Sequence, residues 1–380
     1  MTPFESRKLF PHIKTGKVYL NHAANSPLSI PVIKRLNDFF NQRSETYIEN
    51  YFEYLPIFTS AKNRVAKMLN TIPERIAWRN NVTDGINMLA QSVDWKSGDR
   101  IILNDIEFPA NVYPFLNLKS KGVEIDFAKS INGKVDIEEI EKLITNRTRL
   151  ISISHVQFLT GYRADLETIG KLCKEKNIIF CVDAIQGLGA IRLDVEKCNI
   201  DFLSCGTQKW LMGMQGLGFI YLTEKLQSEM NQIFVGWLGV KNAWNLLDYS
   251  LDLNDDASRF QTGTLCMSAI AVLDASIELM EEIGFEQIEN HIISNSKYLI
   301  SKLKKKNYNL VLKTENEKNI AGIVTIKIDN SKEIYDELKS RNIVVAVREG
   351  MIRFSHHYYN TREEIDKIVD IIDELKIRYK

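Results

Sequence analysis

The residues best placed for chemistry are an aspartate and a glutamine that follow an apolar run. Ile179-Phe180-Cys181-Val182 ends in Asp183, and Gln186 lies three residues further on. A carboxylate in such a place is costly to desolvate unless a cation meets it, and a protonated pyridine nitrogen is one such partner. The carboxylate would in turn keep the ring an electron sink. As an isolated motif, the aspartate is more simply explained as a cap of the next turn.

A lysine follows the next apolar run along the chain. Asp201–Cys205 leads into Gly206-Thr207-Gln208-Lys209-Trp210, and a glycine-rich stretch comes after it. A lysine beside an aromatic residue is poorly placed as a solubilising charge. Partial desolvation would lower its pKa and free the amine to attack a carbonyl carbon. The alternative is an ordinary lysine on a surface loop.

Further positions suit the same chemistry, each with a structural alternative. His155 follows the run Leu150–Ser154 and could stack on a flat ring and shuttle protons, or simply be a buried structural histidine. Thr83-Asp84-Gly85 opens a helix that we expect to begin near residue 86, where free N–H groups suit a phosphate, although an N-cap alone would explain it. Arg348 and Arg353 flank a short turn and could bind a carboxylate or lie on the surface.

These positions belong to a regular alternation of predicted strands and helices. The strands are Arg75–Trp78, Arg100–Leu103, Val123–Phe127, Leu150–Ser154, Ile178–Val182, Asp201–Cys205 and Gly218–Leu222. The helices between them are Val32–Arg43, Phe58–Leu69, Gly85–Ser92, Ile137–Ile144 and Leu166–Lys176. The alternation predicts an α/β fold with a mostly parallel sheet between helices. In such sheets ligands bind beyond the carboxyl ends of the strands, where the polar residues above lie.

The alternation stops near Phe219. An irregular stretch, helices and a compact α+β tail follow it: Val235–Gly263, then Ser268–Ile283 and Phe285–Lys305, then strands Ile323–Lys327 and Ile343–Val347 with helices Lys332–Arg341 and Thr361–Ile377. The last helix starts with the capping-box sequence Thr361-Arg362-Glu363-Glu364. We expect an N-terminal arm (1–18) joining the small domain, a large domain (19–265) and a small C-terminal domain (266–380).

Composition excludes several classes of protein. Lys+Arg and Asp+Glu both number 49, so no net field attracts nucleic acid or an anionic membrane. We expect neither a signal peptide nor a membrane span. The five cysteines are an odd set without a CxxC pair, which favours reduced thiols in a cytoplasmic protein over disulfides or a zinc site.

In order and spacing, the motifs resemble the class V aminotransferase family of fold-type I pyridoxal 5′-phosphate (PLP) enzymes. The resemblance runs from Tyr19-Leu20-Asn21-His22-Ala23-Ala24 to Tyr359-Asn360-Thr361. The matches between these two ends are Asn81–Asn87, Ser154-His155-Val156, Val182–Gln186, Gln208-Lys209-Trp210, Arg259–Thr264 and Ile352–Ser355. It implies a large PLP-binding domain and a small C-terminal domain.

The resemblance also implies roles around the cofactor ring. Lys209 looks like the lysine that forms the Schiff base, and Asp183 like the partner of the pyridinium nitrogen. Gln186 matches the donor to the phenolic oxygen, and His155 the residue stacked on the ring. Lys209, His155 and Asp183 would be the catalytic residues.

Other matches concern the phosphate and the substrate. Thr83 and Asp84 match the phosphate seat, and Gln208 stands where many relatives carry a phosphate-binding histidine. Thr264 matches a residue that reaches the phosphate of the neighbouring subunit, which implies a homodimer with shared sites. Arg353 matches the arginine that holds the substrate carboxylate.

The substrate side is completed by two further residues, Asn25 and Trp237. We assign both to substrate binding, although Trp237 could equally belong to the core.

The absence of a cysteine at one position narrows the set of reactions that we expect. Cysteine desulfurases of this family carry a nucleophilic cysteine on a loop before the carboxylate-binding arginine. The segment Arg348–Arg353 contains none, and no cysteine lies beyond Cys266. We therefore expect an enzyme acting on a small α-amino acid, nominally an aminotransferase. The alternatives are a carbon–sulfur lyase or cysteine desulfurase-like activity, an isopenicillin N epimerase-like activity, and a non-catalytic PLP-binding protein, which the intact residue set disfavours.

Overall fold

The computed structural model describes residues 1–378. The strands are β1 (Val18–Tyr19), β2 (Ile76–Arg79), β3 (Arg100–Asn104), β4 (Glu124–Ala128), β5 (Thr148–Ser154), β6 (Ile179–Asp183), β7 (Phe202–Gly206), β8 (Gly218–Leu222), β9 (Asn309–Leu310), β10 (Ile323–Lys327), β11 (Ile343–Val344), β12 (Ala346–Arg348) and β13 (Met351–Ser355). The α-helices are α1 (Pro3–Ser6), α2 (Ile30–Asn41), α3 (Tyr51–Met68), α4 (Val82–Ser92), α5 (Tyr113–Leu116), α6 (Ile137–Glu141), α7 (Leu166–Lys176), α8 (Glu224–Glu229), α9 (Met267–Ile283), α10 (Phe285–Lys305), α11 (Ser331–Ser340) and α12 (Arg362–Arg378).

A seven-stranded sheet in the order β2-β8-β7-β6-β5-β3-β4 forms the centre. All neighbouring pairs are parallel except those of β8, which runs antiparallel to β2 and β7. The predicted mostly parallel sheet is therefore confirmed. The parallel strands β5, β6 and β7 are adjacent, so their carboxyl ends meet at one edge.

Helices cover both faces of this sheet because successive strand residues point to opposite sides. In β6, Phe180 and Val182 belong to a core that includes residues of α3, α7 and α9. Cys181, between them, belongs to a second core with residues of α4 and α8. Such double burial explains why the predicted strands are nearly continuous apolar runs.

The C-terminal part builds a separate four-stranded antiparallel sheet, β12-β13-β10-β9. Residues of this sheet, α10, α11 and α12 share an apolar core. The N-terminal segment is attached to it: β1 pairs with β11, and Phe10 stacks on Tyr359 with ring centroids 4.0 Å apart. The domain limits at residues 18 and 265 stay predictions, and residues 379–380 of the last one lie outside the described part. Helix α9, just past the second limit, packs on α2 and α3.

Two predicted elements near the C-terminus were wrong in detail. The single strand predicted at Ile343–Val347 is two strands, β11 and β12. The short turn predicted between Arg348 and Arg353 is a β-hairpin, in which Arg353 lies within β13 opposite Ala346. Glu349 and Gly350 have positive φ, as tight hairpin turns require, so the turn is shorter than the predicted one.

The predicted capping box of the last helix is confirmed. Thr361 donates its backbone N–H to Glu364 Oε2 at 3.1 Å, and Glu364 donates its own to Thr361 Oγ1 at 3.4 Å. None of the helices within residues 1–378 combines the length and the apolar character needed to cross a bilayer.

Candidate active site

The carboxyl ends of β5, β6 and β7 bring three predicted residues, His155, Asp183 and Lys209, into one region. Ser154, Asp183 and Ser204 are register partners across the three strands. Asp183 ends β6, and His155 follows β5 directly and donates its backbone N–H to the Asp183 carbonyl at 2.9 Å. Lys209 follows the end of β7, and its charge acts on the Asp183 carboxylate.

The Asp183 carboxylate is buried and has few partners. It accepts the backbone N–H of Ile185 at 3.0 Å, and it forms no ion pair with any residue between 1 and 378. Burial raises its pKa to about 7, Glu107 adds to that rise, and the Ile185 hydrogen bond and Lys209 oppose it. A cation placed against this carboxylate would relieve the cost of its burial.

The Lys209 amine is desolvated in the same region. Burial lowers its pKa to about 8, Arg353 and Arg348 lower it further, and Asp183 opposes them. The nitrogen lies 5.6 Å from the centroid of the Phe108 ring. An amine with such a pKa is largely free at mildly alkaline pH and can act as a nucleophile or a base.

His155 is buried and uncharged. Burial lowers its pKa to about 3, and Nδ1 has no hydrogen-bond partner within the described residues. Gly187 packs against the ring so closely that an added Cβ would lie 2.1 Å from Nδ1. The neutral ring is held in one place, which suits a stacking surface better than a proton carrier.

Gln186 is buried, and both ends of its amide are held. Its Oε1 accepts the indole N–H of Trp210 at 3.0 Å, and its Nε2 donates to the Ala23 carbonyl at 3.0 Å. The N-terminal segment and the residue after Lys209 thus meet at this side chain.

The helix that carries Thr83 begins earlier than predicted. Asn81 caps α4 by accepting the Asp84 backbone N–H at 2.9 Å, which places Thr83, exposed, in the first turn. The Asp84 carboxylate is bonded to Arg79 and to the backbone N–H of Asn80. The first-turn N–H groups and the Thr83 hydroxyl remain suited to an anion, while the Asp84 carboxylate is used within the chain.

The other predicted residues lie further out. Gln208 is partly buried, with its side chain close to Gly206. Thr264 and Asn25 are exposed, and the Asn25 carbonyl accepts the Tyr19 hydroxyl at 2.7 Å. Trp237 is 36% exposed and contacts Trp244 edge to face. The single chain therefore presents Thr264, Asn25 and Trp237 on its surface.

Arg353 is almost fully buried and carries unsatisfied donors. Nη1 donates to the Phe158 carbonyl at 2.8 Å, whereas Nε and Nη2 have no partner within the described residues. Burial lowers its pKa to about 10, and the neighbouring Arg348 contributes. Nε–H and Nη2–H point along one edge of the guanidinium, the fork that binds a carboxylate in bidentate fashion. Buried donors without partners are rare, so this fork indicates a ligand.

Comparison with known proteins identifies the family. Residues 18–368 match the family described as aminotransferase class-V. The chain belongs to the class V aminotransferase family. This membership confirms the expected PLP cofactor and the expected enzymatic activity of the chain.

Relatives in this family have different names. The chain is 27% identical to an uncharacterized aminotransferase, YcbU, of Bacillus subtilis (strain 168) over 97% of each sequence. Its fold resembles the apo structure of a cysteine desulfurase from Thermococcus onnurineus NA1, with a TM-score of 0.89, 23% identity and coverage of 99% and 98%. It also resembles a mutant of C-DES with glycine covalently linked to its PLP cofactor, with a TM-score of 0.87, 21% identity and coverage of 96% and 98%. The fold-type I architecture is thereby confirmed.

Sequence reasoning missed two residues, Glu107 and Phe108, that lie in the candidate site. The buried Glu107 accepts hydrogen bonds from the side chains of Asn111 (3.1 Å) and Gln157 (2.7 Å) and from the Ser154 backbone N–H (2.8 Å). It thereby ties the segment after β3 to the end of β5, and Phe108 beside it faces the lysine. The signal for Glu107 was available, because it is a polar residue that follows the carboxyl end of a parallel strand.

Proposed function

We propose that this class V aminotransferase-family enzyme acts on a small α-amino acid and that Lys209 forms the Schiff base with PLP. Transamination is the nominal reaction. One observation carries the proposal: a desolvated amine, a buried carboxylate and a buried guanidinium fork lie in one region. These groups belong to Lys209, Asp183 and Arg353, and the charges of Asp183 and Arg353 both influence the pKa of Lys209. These are the groups needed to bind an amino acid and move its Cα proton.

The residues present suit PLP. Asp183 is a buried carboxylate without an ion-pair partner in the described chain, which a protonated pyridine nitrogen would provide. Gln186 has one amide hydrogen left for a phenolic oxygen, and the first turn of α4 at Thr83 offers N–H groups to a phosphate, with Gln208 as a further polar group. When bound, PLP supplies an electron sink that stabilises negative charge at Cα.

The chain's own residues then have separate tasks. The Arg353 fork binds the substrate carboxylate, and the Phe158 carbonyl holds that guanidinium in place. The free Lys209 amine would act as the base that takes the proton from the substrate Cα. Phe108 and His155 would face the bound cofactor as uncharged side chains and would limit the access of water to it.

Persulfide chemistry by the usual route of cysteine desulfurases is disfavoured in this chain. The β12–β13 hairpin that carries Arg353 contains no cysteine. Cys205, the cysteine nearest to Lys209 in sequence, is fully buried, and this burial raises its pKa well above the usual range. A thiol that stays protonated cannot attack the substrate sulfur. Proton transfer at Cα by Lys209 requires no thiol.

A second candidate is a carbon–sulfur lyase. Elimination of a sulfur group from Cβ also begins with loss of the Cα proton and needs no protein thiol, so the cysteine-free hairpin permits it equally. Isopenicillin N epimerase-like inversion at Cα starts with the same step. These reactions differ only in what happens after Lys209 has taken the proton.

One screen separates these reactions. Purified enzyme with PLP is incubated with single amino acids, with and without a keto-acid acceptor, and keto acid, ammonia, sulfide and inverted stereochemistry are measured separately. We expect keto acid whose formation depends on the acceptor. Ammonia with sulfide would favour the lyase instead, and inversion alone the epimerase. Borohydride reduction should fix the cofactor to Lys209, and a label on another lysine would contradict the proposal.

Assembly and location form part of the same proposal. We infer a homodimer in which Thr264 of each subunit reaches the phosphate in the other, with Trp237 and Asn25 near the substrate entrance. Support comes from the exposure of Thr264 in the single chain. We also propose a cytoplasmic location, since the five cysteines within residues 1–378 are free thiols.

A further inference from the structure

Trp210, which directly follows Lys209, is buried and held from several sides. Its carbonyl accepts the His357 Nε2–H at 2.9 Å. Gly189 packs against the same carbonyl, where an added Cβ would lie 2.4 Å from the oxygen. Gly322 packs against the outer edge of the indole, where an added Cβ would lie 2.5 Å from the ring. The indole therefore occupies one position, and its N–H points in one direction.

That N–H determines which way the Gln186 amide faces. The indole N–H of Trp210 contacts Gln186 Oε1 at 3.0 Å, and Gln186 Nε2 contacts the Ala23 carbonyl at 3.0 Å. An indole nitrogen can only donate and a backbone carbonyl can only accept. The amide with oxygen and nitrogen exchanged would lose both bonds, so one orientation is fixed. In this orientation Nε2 keeps one hydrogen that no group within residues 1–378 accepts.

We propose that Trp210 is a positioning residue that acts on the cofactor through Gln186. By fixing the amide, it presents the remaining Nε2–H to the phenolic oxygen of PLP; the inference rests on the proposed function. Donation to this oxygen stabilises its anionic form and lowers its basicity. The basicity of the neighbouring imine, formed by Lys209, falls with it. A freely turning amide would present its oxygen part of the time and act in the opposite direction.

The first test compares Trp210→Phe with Gln186→Leu in the PLP-loaded enzyme. The pKa of the imine is read from its absorbance between about pH 5 and pH 10, limits that lie at least about two units on either side of a neutral midpoint. We expect both changes to raise this pKa and to weaken PLP binding about fivefold, as loss of one hydrogen bond does. The double variant should add little to Gln186→Leu, because Trp210 acts through that side chain.

Trp95→Phe is the matched control. Its indole N–H donates to the Ala90 carbonyl at 2.7 Å, which is not part of the site, so its loss should leave the imine pKa unchanged. If Gln186→Leu raises the pKa while Trp210→Phe does not, or if the two effects add fully, Trp210 has no positioning role although the proposed function stands. A wild-type protein that binds no PLP would overturn the proposed function together with this inference.

A second measurement avoids replacing Trp210. The chain contains five tryptophans, so protein labelled with 5-fluorotryptophan gives five fluorine resonances. The signal of Trp210 is assigned by replacing the other four in turn. We expect it to move in Gln186→Leu apoprotein and again when PLP is added to the wild type. A signal that stays in place under both changes would refute the contact on which the inference depends.

Discussion

At the scale of single residues, the amine of Lys209 is shaped by two opposing influences. Burial and the positive charges of Arg353 and Arg348 lower its pKa, and the carboxylate of Asp183 raises it. The result, about 8, lies well below the ordinary value for lysine. Since the unprotonated amine is the nucleophile, the capture of PLP by apoprotein should accelerate as the pH rises through this value.

The prediction can be checked by mixing apoprotein with PLP at a series of pH values and following the absorbance of the Schiff base. Half-maximal capture is expected near pH 8, following the lysine pKa of about 8. Arg353→Met removes one neighbouring positive charge and should move the midpoint to higher pH. Arg341→Met is the control, because this arginine pairs with Glu337 and Glu374 on the surface. A midpoint near that of free lysine would show that the amine is not desolvated.

The residues of the site were partly predictable from sequence. Asp183 and Lys209 could be found because each follows a strongly apolar strand, and strands of that kind are well marked. Phe108 could not be found in this way, since a phenylalanine in a polar segment is more simply explained by packing. The free fork of Arg353 depends on which of its nitrogens the Phe158 carbonyl occupies, and that is a property of the folded sheets.

At the scale of elements, the contact between α4 and the sheet positions the proposed phosphate seat. Gly85 lies in the first turns of this helix, where an added Cβ would meet Ser204 Oγ at 2.4 Å and Ile220 Cγ2 at 2.8 Å. Alanine favours a helix over glycine by about 1 kcal/mol. Overpacking of a core costs about 1–3 kcal/mol, so the collision outweighs the gain in helix propensity.

Gly85→Ala is therefore expected to destabilise the fold by about 1–2 kcal/mol and to weaken PLP binding, because the helix end would be displaced from the sheet. Urea unfolding of the apoprotein and titration with PLP measure the two effects separately. Gln91→Ala, in the last turn of α4, should change neither appreciably. An unchanged or higher stability of Gly85→Ala would show that α4 can shift without cost.

The limits of most elements were predictable to within about two residues, because the apolar periodicity is strong. Helix α3 is an exception: it was predicted to begin at Phe58 and begins at Tyr51, with Pro56 inside it. Proline normally marks a helix start or break, and here the packing of Tyr54 in the core keeps the preceding turn helical. Tertiary contacts also explain why hairpin β12–β13 was missed. Its segments are too short to be recognised as strands from sequence, and β13 is held as a strand by pairing with β10.

At the scale of the whole molecule, the segment between β8 and α9 exposes an unusual amount of apolar surface. Leu246, Leu247 and Tyr249 are 66%, 83% and 88% exposed. Trp244 contacts Trp237 and Phe52, so the same surface continues to α3. Contiguous exposed apolar surface of this kind marks an interaction site in a globular protein. Thr264 lies at the end of this segment, which supports a dimer that shares its sites.

A mixed dimer tests whether the sites are shared. Lys209→Ala removes the amine, and Thr264→Asp places a negative charge where the proposal puts the partner's phosphate. Neither variant alone should bind PLP as a Schiff base, since each homodimer has two defective sites. In a hybrid, the Lys209 of one chain meets the Thr264 of the other, so one site in each hybrid is restored. Random mixing yields half hybrids, which restores about a quarter of the native Schiff-base absorbance.

The hybrid experiment is decisive because no rearrangement within a single chain can reproduce its result. If Thr264 acted on the phosphate of its own subunit, every chain in the mixture would keep its defect, and no absorbance would return. Leu247→Asp in both chains is the control, since a charge on the apolar surface should weaken the dimer and abolish the recovery. Sedimentation measured on the same samples distinguishes loss of the dimer from loss of the shared contact. Recovery without a dimer would contradict the proposed assembly.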